Sequence, residues 1–259
     1  MLSYQHSYHA GNLADVHKHA LLAGMLAYMA AKDKPLSYIE THAGRGLYAL
    51  DTPEALKTGE AAAGIDRVRD RFAPDHPYAK ILSDVQARYG MAAYPGSPLV
   101  AALSLRPGDR MDLAELHPAE FAALNDVMID YAAHCRQQDG LQLALALTPP
   151  EPRRGLMLID PSYEVKADYA ALPNLVRKVH AKWNVGVIVL WYPILPANAH
   201  LAMLRDLESR DLPKPLRHEV RFGSARPGHG LVGSGMFIVN APYGTDAEAV
   251  SLTRLFAGL

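Results

Sequence analysis

The chain has 259 residues, of which 49% are hydrophobic, so it can bury one large core or two smaller ones. Its formal net charge of -1 excludes a global basic field toward polyanions, and any nucleic-acid surface must therefore be a local patch. The single cysteine, Cys135, excludes an intrachain disulfide and fits a reducing compartment.

The first residues carry no export signal that we can identify. Residues 1–12 have neither a basic nor an apolar signal region. The apolar stretch from Ala20 to Ala31 is broken by Gly24 and is too short to cross a bilayer. We therefore expect a cytoplasmic protein without a membrane partner.

The N-terminal part of the sequence predicts a helix and a strand, followed by a segment of different amino-acid composition. Apolar side chains at helical spacing predict a helix over 15–31, and residues 36–40 are typical of a short strand. A glycine-rich turn follows at 41–46. Residues 52–94 are rich in alanine, arginine and aspartate, which predicts a helical insertion within a single domain of residues 1–259.

The rest of the chain alternates strands with helices. Strands are predicted at 110–115, 134–138, 155–160, 186–191, 219–222 and 235–240, and helices at 119–133, 169–180, 201–208 and from the turn at 94–98 to 105. Residues 141–147 alternate like a strand, but their alanine and leucine content allows a helix equally well. This order predicts an α/β fold with a mostly parallel sheet.

Acidic residues stand at four of the predicted strand ends. They are Glu40, Glu115, Asp139 and Asp160. In parallel sheets, ligands bind at the carboxyl ends of the strands. One acid in that place is ordinary, whereas four in register predict a polar pocket along one edge of the sheet.

The glycine turn has two interpretations besides that of a plain tight turn. The pattern from Gly44 to Ala49 matches the dinucleotide motif G-x-G-x-x-G/A, with Asp66 near the distance expected of the ribose-binding acid. Asp66 lies in an arginine-rich helical stretch, however, and not at a strand end. S-adenosylmethionine requires the same backbone approach, here at Gly44, and an acid for the ribose hydroxyls, which Glu115 supplies.

The segment Asp160-Pro161-Ser162-Tyr163 favours the methyl donor. The lone pair of an adenine amino group is delocalised into the ring, so an enzyme that methylates it needs acceptors for both amino hydrogens. A carboxylate and the adjacent backbone carbonyl supply two, proline fixes the loop, and an aromatic ring stacks on an extruded base. The ordinary alternative is a strand followed by a turn with a capping aspartate.

Four histidines crowd the N-terminus, namely His6, His9, His17 and His19. His17 and His19 are two apart on a helix and face different ways. His6 and His9 lack the cysteine or acid partners of an ordinary metal site. We therefore expect no metal, and separate contacts of these rings to ligand or RNA.

Several motifs together resemble one family, the RlmJ family of 23S ribosomal RNA (adenine-N6)-methyltransferases. They are Leu2-Ser3-Tyr4, His9-Ala10-Gly11-Asn12, Ala14-Asp15-Val16, Lys18-His19, Asp33-Lys34-Pro35, Thr41-His42-Ala43-Gly44, Tyr94-Pro95-Gly96-Ser97-Pro98, Glu115-Leu116-His117-Pro118, Leu158-Ile159-Asp160-Pro161, Leu190-Trp191-Tyr192-Pro193 and Ser234-Gly235-Met236. The likeness covers nearly the whole chain and is most specific in the first fifty residues.

The resemblance implies a Rossmann-like methyltransferase domain with a small inserted helical subdomain, and it makes 141–147 a helix. It implies cofactor contacts at His19, His42, Ser97, Glu115, Asp139 and Gly140. We expect Gly44 and Asp160 to contact the cofactor as well. It places the catalytic acid at Asp160 and a substrate contact at Tyr4. The family usually has a second proline where this chain has Ser162, but the accepting carbonyl belongs to Pro161.

The expected activity is transfer of a methyl group from S-adenosylmethionine to an adenine N6 of 23S ribosomal RNA, naked or in an early particle, by a monomer. Asp160 and Pro161 hold the amino group and Tyr163 stacks on the base. RNA contacts are expected at Lys18, Arg45 and Lys166, or over the insertion at Arg67, Arg69 and Arg71. A nicotinamide-dependent oxidoreductase and a non-catalytic RNA-binding protein remain the alternatives.

Overall fold

The computed structural model describes residues 5–224 and 230–259. The strands in these residues are β1 (Ser37–Glu40), β2 (Leu47–Ala49), β3 (Ala93–Pro95), β4 (Arg110–Ala114), β5 (Ala133–Arg136), β6 (Gly155–Ile159), β7 (Val187–Ile194), β8 (Leu216–Arg221) and β9 (Gly233–Val239). The α-helices are α1 (Leu13–Ala30), α2 (Pro53–Thr58), α3 (Glu60–Ala63), α4 (Ile65–Val68), α5 (Pro77–Tyr89), α6 (Ser97–Ser104), α7 (Pro118–Met128), α8 (Gly140–Leu147), α9 (Asp168–Lys182), α10 (His200–Glu208) and α11 (Thr245–Phe256). Short 3-10 helices span His6–Tyr8 and Arg69–Arg71.

The main sheet has the strand order β5-β4-β1-β6-β7-β9-β8, and β2 pairs with β3 in a separate small sheet. The strands from β5 to β7 run parallel, whereas β9 is antiparallel to both of its neighbours. Every residue of β6 is buried, as in a strand that is covered on both faces. The prediction of an α/β fold with a mostly parallel sheet is confirmed.

Two apolar clusters cover the two faces of the sheet. Successive side chains of a strand point to opposite faces, and along β6 Leu156 and Leu158 join one cluster while Met157 and Ile159 join the other. The first cluster contains side chains of α1, α5, α6 and α11, and the second contains those of α9 and α10. The sheet is therefore the middle layer between helices.

Helix α1 packs in the first cluster and begins two residues before its predicted start. Asn12 caps it, since its side chain accepts a hydrogen bond from the backbone N–H of Asp15 at 2.9 Å. The first three turns are buried almost all round, which is why Lys18 and His19 lie inside the protein and not on its surface.

Between β2 and β3 the chain is helical, as predicted, and consists of α2 to α5 with the 3-10 turn at 69–71. Strands β2 and β3 close this segment at its base, and neither of them was predicted. The assignment of 52–94 as an inserted subdomain of a single domain over 1–259 stays a prediction.

Three further parts of the chain bear on the sequence prediction. Residues 141–147 alternate like a strand, but they form helix α8, as the family resemblance implied, and the buried positions Gly140, Leu143 and Ala144 follow helical spacing. Helix α11 has no counterpart in the prediction. Helix α7 ends at Met128, and β5 already begins at Ala133, where the predicted helix still continued.

Candidate active site

A cavity of about 550 Å³ lies at the carboxyl ends of β5, β4, β1 and β6. The residues that line it on the sheet side include Thr41, His42, Gly44, Glu115, His117, Asp139, Gly140, Asp160, Pro161 and Tyr163. Helices and the later strands add Asp15, Lys18, His19, Ser97, Asp168 and Trp191. The four strand-end acids therefore lie on four neighbouring strands, as predicted, but Glu40 lies beneath the cavity wall and not in it.

The glycine turn after β1 is held by Glu115. One carboxylate oxygen of Glu115 accepts from the backbone N–H of Gly44 at 2.8 Å, and the other accepts from that of His117 at 2.7 Å. Gly44 has φ 61, and a Cβ there would lie 2.6 Å from the hydroxyl of Tyr48. Each carboxylate oxygen keeps a lone pair for a ligand hydroxyl.

The structure does not support the interpretation of this turn as a dinucleotide-binding motif. In that motif a helix follows the glycines, and its N-terminus holds the pyrophosphate. Here the turn leads into strand β2, which begins at Leu47. Asp66 lies in α4 within the helical segment, and it pairs with Arg69 at 3.8 Å.

Asp139 and Gly140 form the next part of the wall. Oδ1 of Asp139 caps helix α8 by accepting from the backbone N–H groups of Leu141 and Gln142, at 2.8 and 3.0 Å. Position 140 admits only glycine, because a Cβ there would lie 1.7 Å from the carbonyl oxygen of Thr41. The end of β1 and the start of α8 are therefore in direct backbone contact.

His19 faces the cavity with one ring nitrogen unpaired. Its Nδ1 is 3.1 Å from the hydroxyl of Tyr94, whereas its buried Nε2 has no hydrogen-bond partner among the residues that the structure describes. Burial lowers the pKa of this ring to about 3, so it is neutral at physiological pH. A buried polar atom without a partner costs free energy, and a bound ligand would satisfy it.

These features fit S-adenosylmethionine. Its ribose hydroxyls need acceptors, which Glu115 offers, and its amino-acid part needs polar partners such as His19. Nδ1 of His117, another buried ring atom of the cavity wall, is likewise unpaired within the described residues. The contact of Gly140 with Thr41 keeps side-chain bulk out of this part of the wall.

A hydrogen bond between Glu40 and Ser97 connects β1 to the start of α6, beneath the cavity wall. The hydroxyl of Ser97 donates to Oε1 of Glu40 at 2.5 Å, and that of Tyr38 donates to Oε2 at 2.8 Å. Burial raises the pKa of Glu40 to about 8. Close by, His42 is held through Nδ1 by Thr41 at 2.7 Å, and burial lowers the pKa of its ring.

At the end of β6, Asp160 is paired with Lys18. The Lys18 ammonium lies 2.7 Å from Oδ2 of Asp160 and 3.1 Å from Oδ1 of Asp15. Burial alone would lower the pKa of Lys18, but these two carboxylates outweigh it and raise the pKa above its ordinary value. Lys18 is therefore a buried cation inside the site, with only 5% of its surface exposed.

Sequence reasoning assigned no role to Asp15 and expected His6 only to contact ligand or RNA. Asp15 accepts from His6 Nε2 at 2.8 Å and from the backbone N–H of Gly11 at 3.0 Å. Burial would raise the pKa of Asp15, but the charges of His6 and Lys18 hold it well below its ordinary value. The sequence signal for the ion pair of Asp15 with Lys18 is an acid and a lysine three residues apart on an otherwise apolar helix.

Tyr163 lies against the protein and does not project into the cavity as a free stacking surface. Its φ is 57, its side chain is 7% exposed, and its hydroxyl donates to the carbonyl of Trp191 at 2.6 Å. Its ring centroid is 4.6 Å from that of Tyr169. Trp191, which sequence reasoning did not single out, is partly exposed and also lines the cavity.

The expected RNA contacts lie in different surroundings. Arg45 makes a bidentate ion pair with Glu120, with N···O distances of 2.9 and 2.6 Å. Lys166 is exposed on the loop that follows Tyr163. Tyr4 lies outside the described residues. Of the arginines in the insertion, Arg69 pairs with Asp66 and Arg71 donates to the carbonyl of Leu255.

Two other kinds of feature are absent from the described residues. In residues 5–224 and 230–259, no three or more His, Cys, Asp or Glu side chains are grouped so that they could hold a metal ion. No helix in the same residues has the length and apolar character needed to cross a bilayer.

Comparison with known proteins identifies the family. The model of the family described as "Ribosomal RNA large subunit methyltransferase D, RlmJ" matches residues 33–257. The chain belongs to this family. The resemblance seen in the sequence motifs is thereby confirmed.

Relatives of the RlmJ family match over almost the full length. "Ribosomal RNA large subunit methyltransferase J" of Escherichia coli (strain K12) is 38% identical over 252 residues, which cover 96% of this chain and 90% of that protein. The protein of the same name from Haemophilus influenzae (strain ATCC 51907 / DSM 11121 / KW20 / Rd) is 36% identical over 253 residues, with the same two coverages of 96% and 90%.

Solved structures agree on the fold. The crystal structure of a protein from Legionella pneumophila str. Philadelphia 1 matches with a TM-score of 0.84 and 34% identity, and covers 95% of this chain and 92% of that one. The human methyltransferase 10 domain containing protein matches with a TM-score of 0.51 at 8% identity, over 88% of this chain and 83% of its own. At that identity the likeness concerns the fold alone.

Proposed function

We propose that this chain transfers a methyl group from S-adenosylmethionine to the N6 amino group of an adenine in 23S ribosomal RNA. The observation that carries the proposal is the position of Asp160 and Pro161. They follow the central strand β6, they line the same cavity as Glu115, Asp139 and His19, and Asp160 is held by a buried lysine. Membership of the RlmJ family supports the substrate class.

The cofactor, when bound, supplies an electrophilic methyl group on a sulfonium, and the chain's own residues bind and orient the two reactants. Glu115 accepts from the ribose hydroxyls, and Asp139 lies one strand further along the same edge, where it accepts from the adenine amino group. His19 and Ser97 take the amino-acid end, and the backbone at Gly44 and Gly140 allows close approach. His42 closes the wall between these groups.

Asp160 and Pro161 act on the substrate. Lys18 holds Oδ2 of Asp160, which leaves Oδ1 to accept one hydrogen of the adenine amino group, while the Pro161 carbonyl accepts the other. Two acceptors draw the nitrogen away from conjugation with the ring, so that its lone pair points at the methyl group. Transfer would be an in-line displacement in which the bond from N6 to the methyl group forms as the bond from sulfur to the methyl group breaks. S-adenosylhomocysteine would leave, and one amino hydrogen would pass to water as a proton. Most of the catalysis comes from positioning.

The aromatic residues shape the base pocket. Tyr163 supports the loop through its hydrogen bond to the backbone of Trp191. Trp191 is the partly exposed ring of the cavity wall, and it takes the stacking role that the sequence suggested for Tyr163. The family resemblance implies a substrate contact at Tyr4, and Lys166 contacts the RNA backbone at the rim of the pocket. The enzyme acts in the cytoplasm, as a monomer, on naked RNA or on an early particle.

Incubation of the protein with labelled S-adenosylmethionine and an unmodified 23S transcript tests the proposal. We expect label in the RNA with the wild type and none with Asp160→Asn. No transfer to naked RNA or to a precursor particle would contradict it, and would favour a protein that binds RNA without catalysis.

A further inference from the structure

A chain of buried and partly buried hydrogen bonds leads away from the active-site wall. The indole N–H of Trp191 lies 2.9 Å from Oγ of Ser234 on β9, and that oxygen lies 2.8 Å from Nδ1 of His17 on α1. Nε2 of His17 lies 2.9 Å from Nδ1 of His218 on β8, and Nε2 of His218 lies 2.9 Å from Oγ1 of Thr253 on α11. Four elements of the fold are linked in this way to one indole.

One assignment of donors and acceptors satisfies every bond in the chain. An indole nitrogen can only donate, so Ser234 accepts from Trp191. At the far end the Thr253 hydroxyl donates to the carbonyl of Ala249 at 3.0 Å, so it must accept from Nε2–H of His218. Nδ1 of neutral His218 then accepts from Nε2–H of His17.

The last link follows from the same reasoning. Nδ1 of neutral His17 is an acceptor, and it takes the only hydrogen of the Ser234 hydroxyl. Each donor and each acceptor is therefore used once, and one tautomer of each ring satisfies the chain. Burial lowers the pKa of both rings, which keeps them neutral as this arrangement requires.

At its other end the indole meets the catalytic pair. The Lys18 ammonium lies 5.5 Å from the centroid of the Trp191 ring, within the range of a cation–π contact. The same ammonium lies 2.7 Å from Oδ2 of Asp160. The orientation of the indole thus bears on the position of the cation that holds Asp160.

We propose that Ser234, His17 and His218 are positioning residues that fix the Trp191 indole against Lys18, and through it the carboxylate of Asp160. The inference rests on the proposed function, since it assigns Asp160 to the target amino group. It gives the C-terminal helix α11 a part in the active site, because Thr253 supplies the last acceptor of the chain.

Nuclear magnetic resonance of the indole N–H groups tests the chain directly, because the protein has only two tryptophans. Trp183 is the internal control, since it is fully buried and donates to the carbonyl of Arg153. In Ser234→Ala we expect the Trp191 resonance to shift and to exchange faster with solvent, while that of Trp183 stays unchanged. Trp191→Phe assigns the two signals.

The same variant is measured for activity. We expect single-turnover methyl transfer to fall about three- to tenfold, the loss that one hydrogen bond accounts for. Affinity for S-adenosylhomocysteine should stay within twofold. Ser209→Ala, which removes an exposed hydroxyl just after α10 that takes no part in the hydrogen-bond chain, should change neither quantity.

A second pair of variants decides the matter if Ser234→Ala fails to fold. Thr253 is exposed, so Thr253→Val removes the terminal acceptor with little risk to folding, and Thr253→Ser restores it. We expect the Trp191 resonance to shift with valine and to return with serine. An unchanged Trp191 resonance in folded Ser234→Ala, or in Thr253→Val, would overturn the inference. Absence of methyl transfer in the wild type would contradict the proposed function alone.

Discussion

At the scale of single residues, the site depends on two carboxylates with different surroundings. Asp160 shares the Lys18 ammonium with Asp15, whereas Glu115 accepts two backbone N–H groups. The first arrangement leaves one oxygen for a substrate amino group, and the second leaves lone pairs for hydroxyls. Substitution of Asp160 should therefore impair catalysis, whereas substitution of Glu115 should impair cofactor binding.

Asp160→Asn should lower single-turnover methyl transfer at least a hundredfold, about 2.7 kcal/mol in the barrier, because the amide loses one acceptor and the charge that pairs with Lys18. Calorimetry with S-adenosylhomocysteine should give an affinity close to that of the wild type. Asp206→Asn on α10, where the aspartate pairs with Arg210, is the control. Activity within tenfold of the wild type would remove Asp160 from the mechanism.

Glu115→Gln should do the reverse. Loss of charge-assisted hydrogen bonds costs about 1.5–3 kcal/mol, so the Kd for S-adenosylhomocysteine should rise roughly ten- to a hundredfold. Transfer at saturating cofactor should change little. Exposed Glu151→Gln serves as the control. An unchanged Kd would place the ribose elsewhere in the cavity.

The raised pKa of Glu40 predicts that the free energy of unfolding depends on pH. Burial raises its pKa from 4.5 to about 8, so the folded state keeps a proton that the unfolded state releases between these values. Its contribution to stability is complete below pH 4.5 and is lost as the pH rises toward 8. Relative to wild type, Glu40→Gln should gain about 1.4 kcal/mol in free energy of unfolding per pH unit in this window. Urea unfolding at pH 5.5, 6.5 and 7.5 measures this difference, and parallel curves would show that Glu40 is charged.

At the scale of elements, the strand ends were the most predictable part of the site. Continuous apolar runs identify buried parallel strands, and an acid at the end of such a run then falls at the ligand-binding edge. Such runs predict Glu115, Asp139 and Asp160 at this edge of the sheet, and all three line the cavity. The family resemblance added His19, His42 and Ser97, which no local pattern identifies.

Other parts of the site depend on tertiary contacts and were beyond that reasoning. Nothing near Lys18 in the sequence shows that it meets Asp160, because 142 residues separate them. Tyr163 was assigned to stacking from its place after Asp160, yet packing against Tyr169 fixes its ring. Helix α11 carries a local signal, with Asp246 and Glu248 in its first turn and buried residues at helical spacing, and it could have been predicted.

At the scale of the whole molecule, the RNA surface must be a local patch, because the net charge is only -1. Arg67 lies on a second, smaller cleft of about 190 Å³, which shares Asn12 and Leu231 with the main cavity. Its side chain is exposed and has no ion pair within the described part of the chain. We propose that Arg67 and Lys166 together mark a path for RNA across the mouth of the site.

Salt dependence of RNA binding tests this path. Arg67→Gln and Lys166→Gln should each reduce the slope of log affinity against log salt by roughly 0.7 to 0.9, the effect of one lost phosphate contact. Arg69→Gln is the matched control, because Arg69 already pairs with Asp66. Cofactor affinity should not change. Equal slopes for wild type and both test variants would mean that the RNA follows another face.

The position of the transferred methyl group shows most directly whether Asp160 and the Pro161 carbonyl hold an adenine amino group. Unmodified 23S ribosomal RNA is incubated with the protein and labelled S-adenosylmethionine, digested to nucleosides and analysed by mass spectrometry against methylated adenosine standards. We expect the label in N6-methyladenosine, at one site, and no label with Asp160→Asn. Label in a different nucleoside, or at another position of the adenine ring, would contradict the assignment of Asp160 and the Pro161 carbonyl to the amino group.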